Sequence, residues 1–138
     1  ANAVFQWLRN PSKTLHKLRS YISSEGKLIF STFGPQTLIE LRQISSIGSP
    51  ALLAPFEQWE TWLKTAKFTI DSSSKTIHKI YYSNTLELLK NLQQLGTTPI
   101  TMTKSGSLRR IIKEYDKNYA SSNGVYATWE VYYFSAIK

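Results

Sequence analysis

The stretch GKLIFSTFGPQTLIELR, Gly26 to Arg42, constrains the fold more than any other part of the chain. Lys27 to Ser31 read as a strand with no polar break at its centre, and Phe33-Gly34-Pro35 then turns the chain into a helix carrying Leu38, Ile39 and Leu41. A buried strand that ends in this way is the βα unit of a parallel sheet. Such a sheet needs several strands joined by crossover helices, and here one unit of that kind stands alone.

The 138 residues, 41% of them hydrophobic, suffice for one core, so a single domain is expected. No apolar run reaches the roughly 18 residues that cross a membrane, and a soluble, cytoplasmic protein with no membrane partner is the expectation. With no cysteine, thiolate catalysis, a disulfide framework and cysteine-ligated metal drop out. His16 and His78 are the two histidines, too few for a histidine-rich metal site, and no metal is expected. The net charge of +8 raises the question of nucleic acid. Its basic residues are spread along the chain, with the densest group, Arg109, Arg110 and Lys113, on a predicted helix; solvated surface is the simpler reading and an acidic macromolecular partner the other.

The elements follow from caps and periodicity. Asn10 caps a helix with Pro11 at its first position, and Leu15, Leu18 and Ile22 follow at helical spacing until Gly26. After the strand, Pro35 opens a second helix. The segment from Ser45 to Pro55, with Gly48 and Pro50, reads as loop, and Phe56, Trp59, Trp62 and Leu63 make an amphipathic third helix. Lys67 to Ile70 and Thr76 to Tyr82 alternate as two strands around an Asp71-Ser72-Ser73-Ser74 turn. Asn84 caps a helix with Leu86, Leu88, Leu89, Leu92 and Leu95, stopped at Gly96. Another helix starts at Ser107, and Val125 to Ile137 form a long aromatic strand.

The opening run NAVFQWLRNPSKTLHKLRSYISSEGKLIFSTFGPQTLIELR closely resembles the part of a class I S-adenosylmethionine-dependent methyltransferase that follows its fourth strand. Within that superfamily it is most similar to malonyl-acyl-carrier-protein O-methyltransferases, the enzymes of early biotin synthesis. The family pattern is met by Asn2, Ala3, Gln6, Trp7, Gly26, Phe30, Ser31, Thr32, Phe33, Gly34, Glu40 and Leu41, with Ala1 where serine is usual. LELLKNLQQLGTT resembles a later helix of the family, with Thr97 and Pro99 departing from it, and YATWEVYYFSAIK resembles its final strand. From Gln43 to Tyr82 the likeness is weak.

The resemblance implies an α/β fold: the C-terminal portion of a doubly wound, Rossmann-like class I methyltransferase domain, with helical cap elements and a final antiparallel strand. Residues 1–42 would be the α/β unit, 43–66 a cap region and 67–138 the last strands and helices. The N-terminal cofactor-binding half with its glycine-rich loop is not in the chain, which is expected to be a fragment inactive alone and prone to self-association through an unpaired strand edge. Asn2, Ala3, Gln6 and Trp7 are candidates for binding S-adenosylmethionine, and Thr32, Phe33, Gly34 and Arg42 for the substrate. For these residues the alternatives are helix-on-sheet packing, a tight turn and a helix-surface arginine. Arg109, Arg110 and Lys113 are candidates for meeting acyl carrier protein. The reaction implied is methyl transfer to a malonyl carboxylate, which is already nucleophilic and calls for no general base. A small-molecule methyltransferase of the same superfamily and a non-enzymatic basic nucleic-acid module are the rival readings, the latter disfavoured because Tyr126, Tyr132 and Tyr133 lie in a packed strand.

Overall fold

The computed structural model describes residues 1–45, 53–95 and 105–138, with Ser105 described in its backbone alone. The expected loop at Gly48 and Pro50, the helix stop at Gly96 and the departures at Thr97 and Pro99 lie outside those residues. The elements are α1 (Pro11–Tyr21), β1 (Lys27–Phe33), α2 (Ile39–Ile44), α3 (Phe56–Thr65), β2 (Thr69–Tyr82), α4 (Thr85–Gln94), α5 (Ser105–Asn118), β3 (Ala120–Ser121) and β4 (Gly124–Ile137), preceded by a single 3-10 turn at Phe5–Trp7. In the sheet β4 lies between β1 and β2, and β3 pairs with β4. β1 and β4 run antiparallel, with Phe30 opposite Phe134 and Phe33 opposite Val131.

The chain divides into two compact units. The first contains Ala1–Thr37, the described part of 50–77 and Glu130–Lys138; the second contains the described part of 38–49 and His78–Trp129. In the first unit, α1 begins where Asn10 Oδ1 accepts the Lys13 amide at 3.0 Å, with Pro11 at its first position. Leu15 of α1 and Trp59 and Leu63 of α3, one turn apart, are fully buried. They pack with Phe5, Phe30, Tyr132 and Phe134 into one core. In the second unit α4 starts at Asn84, whose side chain accepts the Glu87 amide. Leu88, Leu89 and Leu92 of α4 meet Ile111 and Tyr115 of α5 and Leu38 and Leu41.

Several expectations need correction. The lone βα strand has neighbours on both edges. On one edge is antiparallel β4. On the other, the Ala1 amine donates to the Ile29 carbonyl at 2.8 Å, the Ser31 amide to the Ala1 carbonyl at 2.9 Å and the Ala3 amide to the Ser31 carbonyl at 3.0 Å, which is the alternation of a parallel ladder. The edge expected to be unpaired is therefore occupied at Ile29 and Ser31. The helix expected from Pro35 begins at Ile39, because the intervening residues form a turn tied to β4. α1 ends at Tyr21, before Gly26.

The two strands expected around Asp71-Ser72-Ser73-Ser74 are one continuous strand, β2. Asp71 and the serines read as turn formers, yet the segment pairs with β4 in the sheet, and the Asp71 carboxylate accepts Lys27 Nζ at 3.0 Å and Ser135 Oγ at 3.2 Å. Lys67, expected to begin the first of those strands, instead closes α3. It sits at φ 64° with its amide on the Lys64 carbonyl, and the Phe68 amide reaches back to Leu63, the two bonds of a Schellman stop.

Candidate functional site

In open α/β sheets ligands bind beyond the carboxyl ends of the parallel strands. Here that end is formed by Ala1–Ala3 and by the Thr32–Phe33 end of β1, both in the first unit. Ala3 leaves the ladder with φ 47°, a left-handed conformation that costs a non-glycine residue about 1 kcal/mol or more. Hydrogen bonds hold it there. The Ala3 amide donates to the Ser31 carbonyl and to Ser31 Oγ, each at 3.0 Å, and Gln6 Nε2 donates to the Ala3 carbonyl.

The 3-10 turn that follows sends its side chains in opposite directions. Phe5 goes into the core, where it stacks on Phe30 with ring centres 4.3 Å apart. Gln6 is buried, and its Oε1 accepts the Thr32 hydroxyl at 3.4 Å. Trp7 remains 45% exposed. A large ring left half in solvent beside a strained backbone is available to a ligand in a way that a core tryptophan such as Trp59 is not.

The turn after β1 closes the other side. Gly34 is buried, and a Cβ there would lie 2.4 Å from the Tyr132 hydroxyl and ring and 2.6 Å from the Glu130 carboxyl carbon. The close approach of Glu130 and Tyr132 requires glycine at this position, a different reason from the backbone freedom that a tight turn demands. The Glu130 carboxylate accepts the Gln36 amide at 2.7 Å and the Tyr132 hydroxyl at 2.9 Å. Burial, and then the bond to Glu130, raises the Tyr132 hydroxyl above its ordinary value, so it stays a proton donor.

The structure gathers Asn2, Ala3, Gln6, Trp7, Thr32, Phe33 and Gly34 in the first unit. Asn2 is exposed, Phe33 half-buried and Thr32 fully buried. Arg42 lies half-buried on α2 in the second unit, and Arg109, Arg110 and Lys113 are exposed on α5, where Arg110 pairs with Glu114 at 3.3 Å. His16 and His78 are exposed. Among the described residues there is no cluster of three or more histidine, cysteine or acidic side chains able to hold a metal, and no helix is long and apolar enough to cross a membrane.

Sequence reasoning gave no site role to Glu130, Tyr132 or Ser31, although Ser31 met the family pattern and Tyr132 was expected in a packed strand. A signal for Glu130 was present. Thr128, Glu130, Tyr132, Phe134 and Ala136 share the buried register of β4, and a carboxylate on the core face of a strand calls for a partner.

No protein-family model matches the chain. It is 32% identical over 145 residues to the malonyl-[acyl-carrier protein] O-methyltransferase of Halalkalibacterium halodurans, covering 96% of this chain and 54% of that protein. To the malonyl-[acyl-carrier protein] O-methyltransferase of Paenibacillus sp. it is 27% identical over 146 residues, covering 94% of this chain and 53% of the relative. The chain thus spans about half the length of the curated relatives it matches. Among solved structures, a Bacillus halodurans protein described as a candidate methyltransferase superposes with a TM-score of 0.63 at 11% identity, over 99% of this chain and 62% of the other. The YcgJ protein of Bacillus subtilis gives 0.66 at 10% identity, over 99% and 61%. The fold is that of the C-terminal portion of an α/β methyltransferase domain, and the sequence is similar along nearly its whole length to the C-terminal part of malonyl-[acyl-carrier protein] O-methyltransferases.

Proposed function

We propose that this chain forms the substrate side of a cytoplasmic, S-adenosylmethionine-dependent methyltransferase that esterifies the free carboxylate of a malonyl thioester carried on acyl carrier protein, a step of biotin synthesis. The observation that carries the reading is the end of the parallel ladder, where strained Ala3 is followed by Gln6, buried against Thr32, and by half-exposed Trp7. The similarity to methyltransferases that are named for this reaction supports it.

The residues present suit the cofactor. An exposed indole face attracts a cationic sulfonium, and the exposed side chain of Asn2, next to Ala3, offers polar groups to the cofactor. S-adenosylmethionine, when bound, supplies an electrophilic methyl group. The chain contributes alignment and exclusion of water, which is what attack by an anionic carboxylate needs. Thr32 and Gly34, being buried, act through the shape they give the wall, and Phe33 supplies its apolar surface. Arg42, on the second unit, has a planar fork that matches a carboxylate and is a candidate contact for one. Arg109, Arg110 and Lys113 on α5 form the surface for acyl carrier protein, whose acidity makes complementary charge raise encounter rate more than affinity.

The test is Trp7→Ala in the enzyme that carries this chain. A misplacement of about 1 Å costs roughly a hundredfold, so turnover of malonylated carrier protein is expected to fall by at least about tenfold with little change in melting temperature. A collapse in stability with a normal rate from the folded remainder would make Trp7 a packing residue and remove the main support of this site.

A further inference from the structure

We propose that Glu130 is a positioning residue: it grips the turn after β1 and so fixes the wall against which the carboxylate substrate lies. This rests on the functional reading above and extends it to a residue that touches neither reactant.

The turn from Gly34 to Thr37 is tied to one residue of β4 by four hydrogen bonds. The Gly34 amide donates to the Glu130 carbonyl at 2.9 Å. The Gln36 amide donates to the Glu130 carboxylate at 2.7 Å. The Thr37 hydroxyl donates to the Glu130 carbonyl at 3.0 Å and accepts the Glu130 amide at 3.1 Å. Within the turn itself, the Thr37 amide donates to the Gly34 carbonyl at 3.0 Å.

The carboxylate is almost wholly buried, 4% exposed, and its second oxygen takes the Tyr132 hydroxyl. Burying a carboxylate costs several kcal/mol unless it is well bonded. An apolar side chain of the same size would fill the space without that cost, but it could not accept the Gln36 amide. The carboxylate therefore serves conformation more than packing. What it fixes is the turn leaving the carboxyl end of β1, next to Thr32 and Phe33, where small displacements of a supporting shell have large effects on chemistry.

The experiment compares Glu130→Ala and Glu130→Gln in the enzyme that carries this chain, measuring kcat and KM with malonylated carrier protein, the Kd for S-adenosylmethionine, melting temperature and hydrogen exchange at the Gln36 amide. Removing the carboxyl group should speed Gln36 exchange by at least about tenfold, since the amide loses its acceptor. It should also lower kcat/KM by about tenfold or more, with the cofactor Kd within about threefold of wild type. Glutamine retains an acceptor oxygen for Gln36 and should recover most of both losses.

Unchanged Gln36 exchange in Glu130→Ala overturns the clamp. A lower melting temperature with unchanged kcat/KM per folded enzyme, or cofactor binding weakened as much as turnover, overturns the positioning role. If Glu130→Ala does not fold, Thr37→Val removes the bridging hydroxyl at nearly constant volume. It should show the same pattern at reduced size, and unchanged kinetics there overturn the proposal as well. Wild-type enzyme that methylates no malonyl thioester overturns the functional reading and, with it, the substrate half of this proposal, while Gln36 exchange still decides whether Glu130 holds the turn.

Discussion

The two units of this chain are built from different materials. The first is held by rings: Phe30 stacks on Phe5 and on Phe134, 5.2 Å away, and Phe56 stacks on Phe134 at 4.9 Å, with Trp59 fully buried beside them. The core of the second is richer in aliphatic side chains of α4 and α5, Leu88, Leu89, Leu92 and Ile111, beside Tyr115, which meets Tyr119 at 4.9 Å and donates to the Tyr126 carbonyl at 2.7 Å. Aromatic rings bury large area with two side-chain torsions each and prefer particular mutual geometries, whereas leucines repack at little cost. The strained Ala3, the Gln6–Thr32 pair and the Glu130 clamp all belong to the ring-built unit.

From that contrast, Trp59→Ala is expected to give the largest effect. Truncating a fully buried tryptophan costs about 3–5 kcal/mol, and amides of β1 should lose exchange protection well before those of α4. Leu89→Ala should cost about 2–4 kcal/mol and expose α4 first. Equal loss of protection in both units from either substitution would break the comparison.

Gly34→Ala comes next. Its methyl group must displace Tyr132 or Glu130, and overpacking of this kind costs about 1–3 kcal/mol, read as a shift in urea midpoint. A neutral result would mean that the ring-built unit yields as easily as the other.

Alkaline pH probes both units together. Burial raises the hydroxyls of Tyr115 in the second unit and Tyr132 in the first, each from an ordinary 10.0. The unfolded chain would ionise first, so the stability tied to these neutral hydroxyls is intact below pH 10 and falls as pH climbs above it. Absorbance at 295 nm should show these tyrosines ionising together with loss of near-ultraviolet circular dichroism, and Tyr115→Phe with Tyr132→Phe should remove part of that alkaline instability. Titration of both in a folded chain near pH 10 would contradict their burial.

The smallest effect is a gain. Lys67 closes α3 with φ 64°, and Lys67→Gly relieves that conformation, which should raise stability by up to about 1 kcal/mol in the first unit alone. A loss would show that the lysine stem contributes packing worth more than the strain.

Much of this architecture was legible in the sequence because its causes are local. Asn10-Pro11 and Asn84 start helices wherever they stand before an apolar periodicity, and the alternation of β4 is long enough to read. β2 was not legible. A stretch of Asp and Ser has turn chemistry by itself, and its pairing with β4, together with the contacts of Asp71 to Lys27 and Ser135, comes from residues distant in sequence. The candidate site divides in the same way. The resemblance supplied Asn2, Ala3, Gln6, Trp7 and Thr32 to Gly34 as a group, but the reason Gly34 must lack a side chain lies in Tyr132 and Glu130, nearly a hundred residues away. The left-handed Ala3 could not have been foreseen, since alanine carries no mark of the conformation that its hydrogen bonds impose.

The parallel contact between Ala1–Ala3 and β1 bears on strand register. A slide of one residue would turn every side chain of a strand to the opposite face. Ser31 helps to specify the alignment. Its carbonyl and its hydroxyl both take the Ala3 amide, so the one residue acts as a peg that only the native alignment fits. Replacing that hydroxyl by a methyl group would leave the pairing possible but free to shift, and Gln6 and Trp7 would travel with the slipped backbone.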